Sequence, residues 1–107
     1  FVPHQLPQLV MQASDVHMIA ISDAEIATYV ASGEPLDKAG AYGIQGAAGR
    51  LVSHVRGSIT NVVGLPLSVV HTALTAHGTV PARTPPQAYA RWRAQLPFDV
   101  LPEASEI

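Results

Sequence analysis

Residues 33–46 read GEPLDKAGAYGIQG and lie between a predicted helix and a predicted hairpin. The stretch contains four glycines and Lys38, which is the single lysine of the sequence. A connection of this length inside a compact domain is typically either functional or disordered. Because apolar residues are interleaved with its glycines, an ordered loop is favoured over a solvated linker. We predict a binding loop that presents the ammonium of Lys38 and the amide of Gln45 to a ligand.

The segment before this loop predicts a strand followed by a helix. Val16–Ile21 is an almost continuous apolar run, which is typical of a buried strand. Ser22 and Glu25 then have the spacing of a capping box, in which a serine and a glutamate satisfy each other's free amides at a helix start. We predict a helix from Asp23 to about Ser32, and Gly33 suits the residue just beyond its end.

The segment after the loop predicts a hairpin and a second helix. Two runs rich in β-branched residues, Arg50–Val55 and Ser58–Val63, flank the dipeptide Arg56-Gly57. This arrangement is typical of a β-hairpin with glycine in its turn. Pro66 suits the first turn of a helix and Gly78 suits its end, so we predict a helix between them.

The histidines of these segments do not form an evident catalytic or metal site in the sequence. His17 has no second ligand two or four residues further along the chain, so we interpret it as a core or edge histidine. Ser53 and His54 are neighbours in a predicted strand, where alternation places them on opposite faces and excludes a Ser-His dyad. His71 and His77 do not share one face of the second helix, so no helical metal pair is expected.

The sequence divides into three parts by composition. We expect an irregular lead-in at 1–14, in which Leu9–Met11 offers a short strand, and a folded unit at 15–78. Proline becomes frequent from Thr79 onward, so 79–107 is expected to be a Pro-rich linker with a short helix at about Gln87–Gln95.

Two arrangements of this tail remain open. In the first, the tail docks on the domain or on a partner through one apolar edge formed by Tyr89, Trp92 and Leu96. In the second, the tail is disordered.

Composition excludes several classes of protein. The sequence is 48% hydrophobic and 13% charged, which excludes global disorder. A net charge of −2 gives no electrostatic case for nucleic acid or an anionic membrane as partner. The absence of cysteine excludes disulfides and thiolate metal sites, and no run approaches the ~18 apolar residues of a membrane span. The amino end does not resemble a secretory signal, so we expect a cytoplasmic location.

The loop and its neighbours together resemble a known family. The residues EIxxYVAxGEPxDKAGAYGIQG from Glu25 to Gly46, then Gly49, then NVVGLPL from Asn61 to Leu67, resemble the carboxy-terminal half of the Maf family. These are nucleoside triphosphate pyrophosphatases, also known as septum formation proteins, and the resemblance covers roughly Val16 to Gly78. It implies an α/β fold, part of a Maf/ITPase-like fold, with a mixed sheet, flanking helices and a nucleotide cleft; the predicted β-hairpin belongs to it.

The resemblance implies an activity and two binding residues. It implies hydrolysis of a nucleoside triphosphate to the monophosphate and pyrophosphate, assisted by Mg²⁺ or Mn²⁺. The GIQG version of the loop is similar to the branch that acts on dTTP and UTP, which makes Gln45 the base-specificity residue and places Lys38 near the phosphates. An amide offers the donor and acceptor that a uracil or thymine edge requires, and an ammonium neutralises phosphoryl charge. The alternatives are a glutamine bonded to its own loop and a merely solvated lysine.

The motifs of the family's amino-terminal half do not occur in this sequence. In the family they are a Ser-x-Ser-Pro-Arg-Arg-type loop and an Ala-Asp-Thr motif, whose aspartate is the general base. We therefore assign no catalytic residue, and neither Glu34 nor Asp37 is assigned as a metal ligand. The sequence does not begin with methionine, and both a fragment and a complete product remain open.

Two hypotheses follow, and they leave open whether this chain alone is an enzyme. One is a segment of a dTTP/UTP pyrophosphatase that is catalytic when joined to its missing amino-terminal half. The other is a noncatalytic Maf-like remnant that folds alone or as a homodimer and binds nucleotide or a protein partner. The low charged fraction and an expected open sheet edge fit a surface that is covered by such a partner.

Overall fold

The computed structural model describes residues 7–96 and 101–107, so residues 1–6 of the expected lead-in and 97–100 of the tail lie outside it. The α/β architecture expected from the sequence is confirmed. The elements, in chain order, are β1 (Asp15–Met18), α1 (Asp23–Ala31), three short 3-10 turns (Glu34–Asp37, Ala39–Ala41 and Ala47–Leu51), β2 (Val52–Ser58), α2 (Ile59–Val63), α3 (Leu67–Ala76), α4 (Pro85–Arg93) and β3 (Glu103–Glu106).

The sheet is mixed, as the family resemblance implied. Its strand order is β1-β2-β3, with β1 antiparallel and β3 parallel to the central strand β2. Val55 of β2 is paired with Val16 on one side and Ala104 on the other, and this row faces the core. The buried cluster around it consists of Ile44, Val52, Val55 and Ile59. The core therefore lies on the face of the sheet that carries Val55. There Ile44, from the segment before β2, and Ile59, from the segment after it, pack against the strand.

The first helix begins where the sequence predicted. The hydroxyl of Ser22 accepts a hydrogen bond from the amide of Glu25 at 3.1 Å and donates to the Glu25 carboxylate at 3.3 Å. Gly33 follows the helix with a φ of 79°, a left-handed conformation that favours glycine. The two apolar residues Ile26 and Val30 are 45% and 55% exposed, so this helix is covered only lightly by the described part of the chain.

The predicted hairpin is wrong. Strand β2 continues through Arg56 and Gly57 to Ser58, and Ile59–Val63 forms the helix α2. The hydroxyl of Ser58 accepts from the amide of Asn61 at 3.1 Å and so caps this helix. Ile59 is only 1% exposed, and burying it against the sheet outweighs the β-propensity of its segment.

The predicted short strand at Leu9–Met11 is also wrong, because these residues are exposed and lie outside the three strands of the described sheet. Without a neighbour that buries its apolar side chains, the segment gains nothing from strand formation.

Ser53 and His54 do not lie apart as strand alternation predicted. The pairing of β1 with β2 steps from His17–His54 to Met18–Val52, so Ser53 is the extra residue of a β-bulge. The bulge interrupts alternation and brings the Ser53 hydroxyl to 3.0 Å from His54 Nδ1. His17 also has a partner that the sequence did not reveal, because its ring stacks on that of His54 across the two strands.

The tail docks on the domain over the described residues. Helix α4 falls close to the predicted position and begins with a capping box between Thr84 and Gln87. Tyr89 packs against the core cluster, and Leu101 is buried. Strand β3 then occupies one edge of β2. No helix in the described part of the chain is long and apolar enough to cross a membrane.

Candidate functional site

The loop at residues 33–46 is an ordered chain of turns. Two 3-10 turns, Glu34–Asp37 and Ala39–Ala41, follow directly after α1. Gly40 has a φ of 70°, and its neighbour Ala41 adopts a φ of 58°, which is unusual for a residue with a side chain. This backbone returns the chain to the core at Ile44, which is buried.

A hydrogen-bond network between Tyr29 and Glu34 holds the loop against α1. The Tyr29 hydroxyl donates to Glu34 Oε1 at 2.8 Å and accepts from the amide of Gly43 at 2.9 Å. The other carboxylate oxygen, Oε2, accepts from the amide of Ala47 at 3.3 Å. One carboxylate and one phenol therefore connect the beginning of the loop to its end.

The ionisation of both groups reflects this network. The hydrogen bond from Tyr29 is the largest cause that lowers the pKa of Glu34 below its ordinary value, and the Ala47 amide lowers it further against the opposing effect of burial. Burial is the largest cause that raises the pKa of Tyr29, followed by the hydrogen bond to Glu34. Glu34 is thus held as a carboxylate acceptor, and Tyr29 as a neutral donor.

Two glycines make room for the Glu34 side chain. A Cβ atom at Gly43 would lie 2.7 Å from Glu34 Oε1, and one at Gly46 would lie 2.8 Å from the same oxygen. These separations are shorter than a carbon and an oxygen accept without a bond. A methyl group at either position would therefore displace the Glu34 carboxylate from its hydrogen bonds.

Replacing Gly46 with alanine is expected to lower the free energy of unfolding by about 1–2 kcal/mol, because the new methyl group displaces a carboxylate that Tyr29 and Ala47 hold. Urea denaturation measures the change. In a Glu34→Ala background the clash is absent, so there the same substitution is expected to cost nothing. An equal cost in both backgrounds would contradict this explanation.

The structure brings Lys38 and Gln45 to one cavity, of about 200 Å³. Lys38 Nζ lies 3.0 Å from Asp37 Oδ1 and donates to the carbonyl of Glu34 at 3.3 Å. The hydrogen bond to Asp37 raises the pKa of Lys38, so the ammonium stays charged. Gln45 is exposed at the cavity and makes no side-chain hydrogen bond within the described residues. The lining is formed by Lys38, Ala39, Tyr42, Gly43, Ile44, Gln45, Val62 and Val63.

The carboxylates near this cavity do not fit a metal site. Asp37 is paired with Lys38, and Glu34 is engaged by Tyr29 and Ala47. Within residues 7–96 and 101–107, no group of three or more metal-ligating side chains could hold an ion. Divalent-metal chemistry normally needs carboxylates that are free to bind the ion, and Glu34 and Asp37 are engaged within the loop.

These features define an α/β domain whose glycine-rich loop carries an ammonium and an amide to a partly apolar cavity. The family model described as Maf-like protein matches residues 4–77. The chain therefore belongs to the Maf-like protein family, as the sequence comparison of its loop indicated.

Curated relatives extend this result. A dTTP/UTP pyrophosphatase of Chromobacterium violaceum is 55% identical over 65 residues, which are 61% of this chain and 33% of the relative. One of Anaeromyxobacter dehalogenans is 54% identical over 66 residues, covering 62% and 34%. One of Halalkalibacterium halodurans is 50% identical over 68 residues, covering 64% and 36%. The chain spans about one third of the length of these relatives.

The sequence predicts Lys38 and Gln45 as binding residues, and this stays a prediction, but it does not reveal the role of Glu34. In the structure the Glu34 carboxylate organises the loop through Tyr29 and the amide of Ala47. The available signal was the set of Tyr29, Glu34, Gly43 and Gly46 within one motif. Glycines allow the backbone to approach another group closely, and here they admit the Glu34 side chain.

Proposed function

We propose that the loop at residues 33–46 recognises the base and phosphates of dTTP or UTP, and that the chain acts as part of a nucleoside triphosphate pyrophosphatase. The observation that supports this most directly is that Lys38 and Gln45 line the same cavity. The three relatives are each named dTTP/UTP pyrophosphatase, which supports dTTP and UTP as the ligands of this region.

The cavity suits recognition of a pyrimidine base. Its volume of about 200 Å³ is below the ~300–1,000 Å³ of sites that enclose a whole ligand, so it suits one part of a nucleotide. Ile44, Val62 and Val63 supply apolar wall for a ring, and Gln45 supplies a donor and an acceptor at its edge. We assign Gln45 to base specificity on this ground.

Lys38 is suited to the phosphates. Its partner Asp37 is 83% exposed, and an ion pair between exposed groups contributes little, so a triphosphate competes with it easily. The ammonium would then neutralise charge on the phosphate chain. We assign Lys38 to substrate binding rather than to catalysis, because nothing places it at a reacting atom.

Cleavage is proposed only for this chain joined to the family's amino-terminal segment. We propose that this cleavage requires Mg²⁺ or Mn²⁺ and that the described residues of this chain do not supply the ligands of the ion. The second candidate function is a noncatalytic nucleotide binder, which is favoured by the engagement of Glu34 and Asp37 within the loop. In either case we propose a cytoplasmic location, since nucleoside triphosphates are the ligands.

A covering partner is also part of the proposal. Ile19, Ile26 and Val30 are each more than two-fifths exposed, at 44%, 45% and 55%. We propose that the amino-terminal segment covers these side chains, with a homodimer as the alternative. Sedimentation of this chain with and without that segment distinguishes the two assemblies.

The test is nucleotide binding and pyrophosphate release, both with Mg²⁺ or Mn²⁺ present. The chain alone is expected to bind dTTP and UTP without turnover, and release is expected once the amino-terminal segment of a relative is added. Gln45→Ala is expected to weaken dTTP and UTP binding about tenfold, the equivalent of one good hydrogen bond. Lys38→Ala is expected to weaken the binding of every nucleoside triphosphate by a similar factor but to leave the binding of nucleosides unchanged.

Gln95→Ala and Arg50→Ala are the matched controls, because each removes the same kind of group from an exposed position away from the cavity lining. Equal effects of Gln45→Ala and Gln95→Ala would contradict the role in base recognition. Robust turnover by the chain alone would contradict the proposed need for a second segment. Binding without turnover, even after the segment is added, would favour the noncatalytic binder.

A further inference from the structure

One aromatic ring at the loop cavity has no role in the binding proposed above. Among the described residues that line the cavity, Tyr42 is the single aromatic one, and it lies between Lys38 and Gln45 in the sequence of the loop. The rest of the lining consists of aliphatic side chains, glycine and the two polar residues already assigned. Tyr42 therefore differs from the other walls of the cavity in offering a flat π face.

An uncommon turn of the backbone precedes Tyr42. Gly40 and Ala41 both have positive φ angles, of 70° and 58°, and Tyr42 then returns to an extended conformation with a φ of −151° and a ψ of 149°. A left-handed conformation costs energy at a residue that carries a side chain, such as Ala41, and it persists where the surrounding structure holds it. The position of the Tyr42 ring is thus set by a turn that the fold maintains.

Packing holds the ring of Tyr42 in place. A Cβ atom at Gly40 would lie 3.0 Å from Cε1 and 3.3 Å from Cδ1 of Tyr42, so one edge of the ring lies directly against the backbone of the turn. The half-buried ring also packs against the core cluster that contains Ile44. A ring that is held in this way before a ligand arrives loses little rotamer freedom when the ligand binds.

The hydroxyl of Tyr42 is not used by the fold. It makes no hydrogen bond to any of the described residues. The hydroxyl of Tyr29, by contrast, both donates to Glu34 and accepts from the amide of Gly43. The hydrogen bonds of the loop therefore do not require a phenol at position 42, and what this residue gives to the cavity is its ring.

We propose that the pyrimidine base of the bound nucleotide stacks on the Tyr42 ring while Gln45 binds the edge of the base. This inference rests on the proposed function of the loop and adds the residue that contacts the face of the base. The hydrogen bonds of an amide lie near the plane of the base, so they leave its faces free for stacking. Because every base has a π face, stacking does not discriminate between bases. Tyr42 therefore contributes affinity, and Gln45 contributes specificity.

Calorimetric titration of the chain with UTP and with 5,6-dihydro-UTP, both with Mg²⁺ present, tests the stacking. The dihydrouracil ring keeps the carbonyl oxygens and the N–H of the uracil edge, but it is saturated and puckered and stacks poorly. The wild type is expected to bind UTP about tenfold more tightly than the dihydro analogue, within the ~5–150-fold that stacking of one base contributes. Tyr42→Leu keeps an apolar side chain but is expected to weaken UTP binding by a similar factor and to abolish this preference.

Tyr42→Phe and Tyr89→Leu are the matched controls. Tyr42→Phe retains the ring and is expected to retain both the affinity for UTP and the preference over the dihydro analogue. Tyr89 is also half-buried against the core cluster but lies outside the cavity lining, so Tyr89→Leu removes a comparable ring and is expected to leave binding unchanged. A purely structural role of Tyr42 would weaken the binding of UTP and of its dihydro analogue equally, and this result would overturn the proposal.

A measurement on the wild type does not depend on the folding of any variant. Nuclear Overhauser contacts between the Tyr42 ring and the H5 and H6 protons of UTP are expected, and their absence at saturating UTP would overturn the proposal. If Gln45→Ala weakens UTP binding but Tyr42→Leu does not, stacking is overturned and the proposed function stands. If the wild type does not bind UTP, both are overturned.

Discussion

Replacing Ile59 with alanine is expected to lower the free energy of unfolding by about 2–5 kcal/mol. Ile59 is 1% exposed and belongs to the cluster with Ile44, Val52 and Val55. The substitution removes buried methyl groups and leaves a cavity that close-packed neighbours fill only in part. Because a domain of this size is typically stable by only about 5–15 kcal/mol, the variant is expected to be partly unfolded at moderate urea concentrations.

Urea denaturation monitored by circular dichroism measures this loss. Ile59→Val removes a single methylene and is expected to cost about 0.5–1.5 kcal/mol. Leu36→Ala is the matched control, because Leu36 is a large aliphatic side chain that is 84% exposed, and it is expected to change stability by less than about 0.5 kcal/mol. Similar losses for Ile59→Ala and Leu36→Ala would show that the core does not lie at α2.

Replacing Glu34 with glutamine is expected to lower the free energy of unfolding by about 1.5–3 kcal/mol at neutral pH. The substitution keeps the size of the side chain but removes its charge, and one of its two polar atoms becomes a donor. That donor cannot accept from Tyr29 or from the amide of Ala47, which both donate to the carboxylate. Glu106→Gln, at an exposed position on β3, is the matched control and is expected to be nearly neutral.

The effect of Glu34→Gln is expected to depend on pH. Because the folded-state pKa of Glu34 is below its ordinary value of 4.5, the carboxylate contributes its full stabilisation above that value. The contribution is lost as pH falls through the folded-state pKa. The difference in stability between the wild type and Glu34→Gln should therefore shrink on acidification. Asp37, whose pKa Lys38 lowers, is present in both proteins, so its own contribution cancels.

Tyr29→Phe provides the complementary variant. It removes the hydroxyl that donates to Glu34 and accepts from Gly43, and in combination with Glu34→Gln it completes a double-mutant cycle. Because both substitutions break one network, the double variant is expected to lose less than the sum of the single losses. Strict additivity, or a pH-independent cost of Glu34→Gln, would contradict the role assigned to this network.

Features of the fold that depend on local signals were predictable from the sequence. Helix α1 begins at the cap supplied by Ser22 and ends before Gly33, and both signals act within a few residues. The segment Ile59–Val63 was not predictable in this way. Its β-branched residues favour a strand locally, but capping by Ser58 and burial of Ile59 against the sheet determine a helix.

In the site, too, the residues within one local motif were predictable, whereas contacts between distant segments were not. Lys38 and Gln45 were identified from their loop, and the structure places both at one cavity, but their roles in binding remain proposals. The contact of Ser53 with His54 was missed because a β-bulge arises from the pairing of two distant strands, which strand alternation does not contain. The pair of His17 and His54 depends on the same pairing register.

The arrangement of the sheet has a consequence for how the chain folds. Asp15 is paired with Arg56, and His54 with Glu103, so every strand pair joins segments that are far apart in the sequence. Such contacts close long loops, which slows folding relative to helices that form from local contacts. Until both outer strands pair with it, the central strand β2 has two open edges and exposes its core residues Val52 and Val55, so it can pair with another molecule. Self-association during refolding is therefore expected to increase with protein concentration, and the pairing of β3 with β2 is expected to limit it.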